Sequence, residues 1–183
     1  MTPESEREIL LSAARASITA RLNGQKFNPE DILSPNVSPP SGSGGAFVTL
    51  KKGNRLRGCI GHLESSRPII DTIAELACSA AFSDPRFPPL GMAELDEVCI
   101  EISRLSEFLP IRASDVEVGR HGLLLRLGSR SGLLLPQVPV EQGWDRSVFL
   151  SMLCNKAGLP DRTWDNPNAV LEGFTAEIFK ENR

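Results

Sequence analysis

Apolar side chains in the first 22 residues recur three or four positions apart, which is the spacing of one face of an α-helix. The pair Thr2-Pro3 suits an N-cap followed by proline at the first helical position, and Asn23-Gly24 suits the end of the helix. We therefore expect a helix with one buried face. The apolar positions on that face are Ile9, Leu10, Ala13, Ala14, Ile18 and Leu22.

Two pairs of apolar runs predict β-hairpins. In the first pair, residues 46–50 and 55–60 flank a turn that contains a glycine. In the second pair, residues 123–127 and 133–135 flank a turn that carries two glycines. Before the first hairpin, residues 27–45 are rich in proline, serine, glycine and asparagine, so we predict a flexible surface loop there.

Two further helices and two further strands are predicted from capping residues and from the spacing of apolar side chains. Ser65-Ser66 suits the cap of a helix that enters through Pro68, and Asp145 suits the cap of another. Alternation along Val98–Ser103 predicts a half-buried strand, and alternation along Phe174–Ile178 predicts a last strand in the main sheet. The residues expected to face the core are Ile69, Ile70, Ile73, Leu76, Ala77, Ala80 and Ala81 in the first of these helices, and Val148, Phe149, Met152, Leu153 and Ala157 in the second.

The elements are interspersed without a regular β-α-β alternation. This favours an α+β fold with a mostly antiparallel sheet flanked by helices. The length of 183 residues and a hydrophobic content of 40% fit one domain with a core of normal size. We therefore expect a single domain over residues 1–183.

Charge and composition exclude several classes of protein. A net charge of -3 and a pI near 5.5 give no basic face for non-specific nucleic-acid binding, although a local basic pocket stays open. The N-terminus is acidic, and no stretch approaches the roughly 20 apolar residues of a membrane helix. We predict a cytoplasmic protein without a membrane partner.

The four cysteines show no Cys-x-x-Cys pair, so the sequence indicates neither a disulfide framework nor a thiolate zinc cage. Cys78 lies on a helical pattern, and Cys99 and Cys154 lie in apolar runs. We expect these three to be buried packing residues.

Reactive groups are densest in the stretch from Leu56 to Glu64, which reads Leu-Arg-Gly-Cys-Ile-Gly-His-Leu-Glu. Its glycines, Gly58 and Gly61, allow close approach or a positive φ. The stretch is therefore interpreted as the end of a strand that turns into a loop and exposes its N–H groups to a ligand.

Cys59 is the candidate nucleophile of this stretch, because an imidazole can take a thiol proton and nearby N–H groups stabilise a thiolate. His62 can be this imidazole if the chain turns at Gly61, and His121 can instead reach Cys59 from a different turn. The alternative is that Cys59 only fills space and that the histidines hold glycine loops. We expect no metal site, because zinc needs three or four matched ligands and only Cys59 and His62 are suitably spaced.

Two arginines are candidate anion-binding groups. Arg57 and Arg86 can hold a carboxylate or a phosphate through two parallel hydrogen bonds. The alternative is pairing within the chain, with Glu64, Asp84 or Glu101 as partners. The loop at residues 83–90 is stiffened by three prolines and suits either a salt-bridged lock or a binding rim. The predicted ligand-binding residues are Arg57, Gly58, Gly61, Glu64, Asp84 and Arg86.

The stretch Leu56–Glu64, together with Ala80–Leu90, closely resembles the AMMECR domain family, named for the AMME syndrome chromosomal region. The similar segments run in the family's order over about residues 46–180. Further matches are Gly119–Leu123, Gly132–Val138, Gly143-Trp144 and Lys156–Pro160.

The resemblance implies an α+β fold with a smaller second lobe and a cleft near the glycine-cysteine motif. It implies no particular reaction, and the residues indicate no particular cofactor. Prokaryotic members resemble the A component of AmmeMemoRadiSam, beside a Memo-like protein and a radical SAM protein.

Two functions follow as hypotheses. The first is an enzyme or enzyme subunit that uses Cys59 on an anionic or nucleotide-like substrate held by Arg57 and Arg86. The second is a non-catalytic binding or scaffold subunit that works with the Memo-like and radical SAM partners. The sequence leaves both open.

Overall fold

This computed structural model describes residues 2–33, 38–42 and 44–182, which form helices, antiparallel strands and the segments that connect them. The chain divides into two units, a larger unit 1 (Met1–Leu105 and Glu177–Arg183) and a smaller unit 2 (Ser106–Ala176). The predicted α+β fold with a smaller second lobe is confirmed. In chain order the elements are α1 (Glu4–Leu22), β1 (Ala46–Lys52), β2 (Arg55–His62), α2 (Ile69–Phe82), β3 (Val98–Leu105), β4 (Leu109–Pro110), β5 (Gly122–Leu127), β6 (Arg130–Leu134), α3 (Gln137–Glu141), α4 (Arg146–Lys156), β7 (Val170–Phe174) and β8 (Ala176–Lys180).

Unit 1 contains an antiparallel sheet with the strand order β2-β1-β3-β8, so β2 and β8 are its edge strands. The first predicted hairpin is confirmed as β1 and β2. Side chains at alternate positions of β1 are buried, which places one face of the sheet in the core with α1 and α2. The largest fully buried side chains of this core are Leu10, Ile18, Leu50, Ile69, Ile73, Leu76, Ile100 and Ile102.

The sequence located α1 and α2 correctly but assigned their caps wrongly. Pro3, not Thr2, is the N-cap of α1, and Pro68, not Ser65-Ser66, is the N-cap of α2. The hydroxyl of Thr2 donates instead to the Glu177 carboxylate across 2.6 Å. The Thr2 hydroxyl, which the local pattern assigned to the helix cap, is therefore bound by a carboxylate that is distant in the sequence.

None of the described helices is both long and apolar enough to span a membrane.

Unit 2 contains a second antiparallel sheet, with the strand order β4-β7-β5-β6. The second predicted hairpin is confirmed as β5 and β6, and the Asp145 cap of α4 is confirmed by the hydrogen bond that Asp145 accepts from the Val148 N–H. Val148 itself was wrongly placed in the core, since it is 42% exposed. Gly132, predicted as a turn residue, instead lies within β6. Its lack of a side chain lets the strand lie close to Ala157, because a Cβ there would come within 2.6 Å of the Ala157 nitrogen.

The predicted last strand is wrong, because the alternating run is two strands in two sheets. β7 ends at Phe174 in the sheet of unit 2, and β8 continues from Ala176 in the sheet of unit 1. Between them, Thr175 exchanges hydrogen bonds with Ser106, donating its N–H to the hydroxyl and accepting the backbone N–H at its carbonyl. The alternation of side chains carries no information about which neighbouring strand is paired.

The described part of the predicted loop over residues 27–45 makes specific contacts. Asn28 accepts the N–H of Glu30 at the start of a short 3-10 turn, and the Gly42 carbonyl accepts the N–H of Ile69. The Ser41 carbonyl accepts a hydrogen bond from Arg104. The part of this prediction that falls on residues 34–37 and 43 lies outside the described residues.

Candidate functional site

The glycine-cysteine stretch does not turn into a loop where the sequence predicted it. β2 continues through His62, with Gly61 opposite Phe47 and His62 opposite Ala46. Gly61 adopts no positive φ, and a Cβ there would meet the Phe47 ring at 2.1 Å. This glycine therefore makes room for an aromatic side chain instead of reversing the chain.

Because β2 stays extended, Cys59 and His62 point to opposite faces of the sheet. Cys59 pairs with Thr49, whereas His62 pairs with Ala46 on the face that carries the helices. The juxtaposition of Cys59 with His62 was conditional on a turn at Gly61, and β2 does not turn there. The catalytic roles of Cys59 and His62 stay predictions.

The hydrogen-bond partner of the Cys59 thiol is a residue that the sequence analysis did not single out. The Thr49 hydroxyl donates to the Cys59 sulfur across 3.3 Å. The pairing depends on a β-bulge, because the register between β1 and β2 shifts between Leu50 and Lys51 and leaves Arg57 without a partner. The residue opposite Cys59 cannot be found by counting back from the hairpin turn when the register is irregular. The sequence therefore did not indicate that Thr49 pairs with Cys59.

Side chains from the proline-rich loop complete the edge of β2 at Cys59. Asp84 Oδ2 accepts the Cys59 N–H across 2.8 Å, and Arg86 Nη2 donates to the Cys59 carbonyl across 3.2 Å. An edge strand exposes unpaired backbone groups, and two of them are satisfied here without a further strand. Three predicted site residues, Cys59, Asp84 and Arg86, are thereby brought together.

Asp84 and Arg86 also hold each other. Arg86 Nε lies 2.9 Å from Asp84 Oδ1 and Arg86 Nη2 lies 2.6 Å from Asp84 Oδ2, while the Arg86 N–H closes a tight turn on the same carboxylate. The Asp84 side chain is 1% exposed, whereas that of Arg86 is 54% exposed. The Arg86 hydrogen bond holds the pKa of Asp84 well below its usual range, against the opposing effect of burial. The salt-bridged lock is thus the arrangement found, with one part of the guanidinium facing outward.

Arg57 holds a carboxylate that the sequence analysis missed. It forms two parallel hydrogen bonds to Glu94, of 3.0 and 2.9 Å, and the Arg57 residue is only 8% exposed. The Arg57 hydrogen bond is the main reason why the pKa of Glu94 is lowered to about 2. Glu101, one of the expected partners, pairs with Lys51. Arg57 is therefore already occupied by a side chain of its own unit.

The two remaining members of the predicted ligand set in this stretch have different surroundings. Gly58 faces α2 so closely that a Cβ there would lie 2.1 Å from the Ala80 carbonyl oxygen. Its role is to let β2 approach the helix. Glu64 lies beyond the end of β2 and is exposed.

His121 belongs to unit 2, where it closes a turn. The His121 ring nitrogen Nδ1 accepts the backbone N–H of Glu117 across 3.1 Å, and the His121 backbone N–H donates to the Glu117 carbonyl across 3.0 Å. Gly119, within this turn, has a φ of 85°, a value that favours glycine. An acceptor Nδ1 places the proton of the neutral ring on Nε2. His121 therefore has a hydrogen-bonding role in a glycine turn, and its predicted catalytic role stays untested.

The cysteines are free thiols that differ in burial. Cys154 is buried as expected, whereas Cys78 and Cys99 are only half-buried. Burial is the largest influence on Cys78 and Cys154, and it raises the pKa of both thiols. Within the described ranges, no cluster of three or more histidine, cysteine, aspartate or glutamate side chains is arranged to hold a metal ion.

Comparison with known proteins identifies the family. The AMMECR1 family pattern matches residues 11–179. The chain is 42% identical to protein MK0488 of Methanopyrus kandleri, over 96% of this chain and 88% of the relative, and 37% identical to protein NEQ441 of Nanoarchaeum equitans, over 94% and 99%. The crystal structure of PH0010 from Pyrococcus horikoshii superposes with a TM-score of 0.81 at 38% identity, covering 99% of this chain and 94% of PH0010. These relatives carry locus names that describe no activity. The chain belongs to the AMMECR1 family.

Proposed function

We propose that this chain is a non-catalytic binding subunit that holds an anionic group at the outward side of Arg86, next to Cys59. The observation that carries the proposal is the fixed guanidinium. Asp84 and the Cys59 carbonyl hold one side of Arg86 in place while its side chain stays 54% exposed. A guanidinium that is already oriented binds a carboxylate or phosphate without a further ordering cost.

The surroundings of the Cys59 thiol favour binding over catalysis. A cysteine nucleophile is activated by a neighbouring base or by a lowered pKa. The partner of this thiol is the Thr49 hydroxyl, which is not a base at neutral pH, and His62 lies on the opposite face of the sheet. Unit 1 therefore supplies no imidazole to Cys59 from its own histidine.

A binding subunit works with partners that perform the chemistry. The resemblance of the chain suggests Memo-like and radical SAM proteins for that role, with a ligand cleft beside the glycine-cysteine motif. The ligand class that fits Arg86 is a carboxylate, a phosphate or a nucleotide phosphate. Arg57 is not part of this proposal, because Glu94 occupies it.

Isothermal titration and thermal shift with inorganic phosphate, citrate and ATP test the anion site. We expect at least one probe to bind wild type, Arg86→Ala to lose binding and Arg86→Lys to bind more weakly, because lysine lacks the planar fork. Arg162→Ala is the matched control, since Arg162 is an exposed arginine paired with a nearby aspartate, Asp165. Equal responses of Arg86→Ala and wild type, or no response of wild type to any probe, overturn the proposal.

A second candidate function, thiol chemistry at Cys59, rests on a different observation. The Arg86 guanidinium donates to the Cys59 carbonyl across 3.2 Å, so a cationic group lies beside the residue that carries this thiol. Iodoacetamide labelling from pH 6 to 9, with mass-spectrometric mapping, separates the two functions. A binding subunit predicts ordinary thiol reactivity at Cys59, unchanged in His62→Ala. Fast labelling that persists below pH 7 favours the enzyme and contradicts the non-catalytic proposal.

A further inference from the structure

A groove of about 810 Å³ runs between α1 and β8 in unit 1, on surfaces that the proposed anion site does not use. Its apolar lining residues include Leu11, Ala16 and Phe179. Its charged walls are partly neutralised within the chain, because Arg7 pairs with Glu177 and Arg15 pairs with Glu181.

One wall of this groove is the edge strand of a sheet. β8 is the last strand in the order β2-β1-β3-β8. The Glu181 N–H donates inward to the Ile100 carbonyl of β3. Consecutive residues of an antiparallel strand direct their backbone groups to opposite sides, so those of Lys180 and Ile178 point away from β3. Ile178 is also 46% exposed.

The other wall is a stripe along α1. Glu4, Glu8, Leu11 and Arg15 lie on one side of the helix, three or four residues apart, and all four line the groove. Glu4 and Glu8 are exposed, and among the described residues neither has an ion-pair partner. They therefore add negative charge to this end of the groove, and no ion pair with another described residue neutralises it.

We propose that this groove binds an extended segment of a partner protein, which adds to β8 as a further strand. Edge strands beside a helix recognise peptides in this way, with backbone hydrogen bonds for affinity and alternate side chains for specificity. Two helical residues four apart are separated by about 6 Å along the axis, close to the roughly 6.6 Å between alternate side chains of a strand. The segment therefore carries two basic residues at alternate positions, facing Glu4 and Glu8, followed by an apolar residue over Leu11.

Two fluorescein-labelled, capped peptides serve as probes, Lys-Thr-Lys-Thr-Leu-Thr-Thr and the same residues in reversed order, because the direction of the added strand is open. We expect saturable binding of one of them at low salt, measured by fluorescence anisotropy. In a bound strand, one set of alternate backbone N–H groups donates to β8 and the other set faces away from it. N-methylation of the first set therefore abolishes binding. A peptide with both lysines adjacent binds more weakly.

Variants of the chain locate the binding. Glu8→Lys weakens it about fivefold, the size of a lost exposed ion pair, while Glu30→Lys, a change at an exposed glutamate elsewhere in unit 1, leaves it unchanged. Ile178→Pro weakens it about tenfold by removing one outward donor, and proline is tolerated on an edge strand in that position. Circular dichroism confirms that each variant is folded.

Other outcomes overturn the proposal. One is that neither peptide binds wild type saturably. Another is that peptides N-methylated at either set of alternate nitrogens bind equally well. A third is that Glu8→Lys and Glu30→Lys weaken binding equally. A wild-type dimer in sedimentation that Ile178→Pro dissociates assigns the edge to a second copy of the chain instead. The groove contains none of the residues Thr49, Cys59, Asp84 or Arg86. Arg86→Ala therefore leaves peptide binding intact even if the anion site fails.

Discussion

The carboxylate of Asp84 accepts the backbone N–H of Cys59 across 2.8 Å, so a buried side chain takes the place of a neighbouring strand at the edge of the sheet. The same carboxylate orients Arg86, which returns to the Cys59 carbonyl. One aspartate thus fixes both the strand that carries the thiol and the guanidinium beside it. The Arg86 side chain, although paired in this way, stays 54% exposed beside the edge.

Replacement of Asp84 should destabilise unit 1. We expect Asp84→Ala to lower the free energy of unfolding by about 2–3 kcal/mol, because it leaves the Cys59 N–H and one side of Arg86 without an acceptor. Trp144 and Trp164 both belong to unit 2, so tryptophan fluorescence does not report on unit 1. Urea unfolding is therefore followed by far-UV circular dichroism, to which the helices and strands of both units contribute. The matched control Asp165→Ala breaks an exposed pair and should change nothing measurable. An Asp84 variant as stable as this control contradicts the role of the lock.

The acid stability of unit 1 should depend on Asp84 and Glu94. Both carboxyls have a pKa below the usual range in the folded chain, and that of Glu94 is about 2. A carboxyl whose pKa is lower in the folded chain than in the unfolded chain stabilises the fold at any pH above the unfolded pKa, near 4. This stabilisation is lost as the pH falls through the folded pKa. We expect the free energy of unfolding to fall between about pH 4.5 and 2.

Glu94→Gln should remove up to about 1.4 kcal/mol per pH unit from that slope, the value for one proton. The measurement is urea unfolding at pH 7, 4.5 and 3, with Glu30→Gln as the control at an exposed position. The assignment fails if Glu94→Gln and Glu30→Gln have the same slope.

The Arg57–Glu94 pair should show strong coupling. Glu94→Leu leaves a buried guanidinium without its carboxylate, and we expect a loss of about 3 kcal/mol. The double variant Arg57→Met with Glu94→Leu should regain at least about 1 kcal/mol of this, because no buried charge is left. Chemical denaturation of the four proteins in this cycle measures the coupling. Additive losses mean that the two side chains act independently.

Gly58 should tolerate no side chain. A Cβ at Gly58 would lie 2.1 Å from the Ala80 carbonyl oxygen, a backbone atom that moves only if α2 moves. We expect Gly58→Ala to cost about 3 kcal/mol or to prevent folding. Gly91→Ala is the control, because a Cβ there meets nothing within 4 Å and the backbone needs no positive φ. Melting temperatures of the two variants provide the comparison, and equal values refute the packing role.

Several features could be predicted because their causes are local. The hairpin of β1 and β2, the buried face of α1 and the Asp145 cap each depend on residues that are close in the sequence. Three of the predicted site residues, Cys59, Asp84 and Arg86, also meet in the structure. Proline and aspartate restrict the loop that carries Asp84, which is why it stood out in the sequence.

The sequence by itself determined the α+β class, the hairpins and the region of the candidate site, since periodicity, turn residues and motif density are local properties. Only the tertiary structure decided that Cys59 pairs with Thr49 and that Arg57 is held by Glu94. The bulge opposite Leu50 and Lys51 sets the first pairing, and long-range packing sets the second. Neither leaves a periodic trace in the chain, because charge partners and strand register are chosen by the folded backbone.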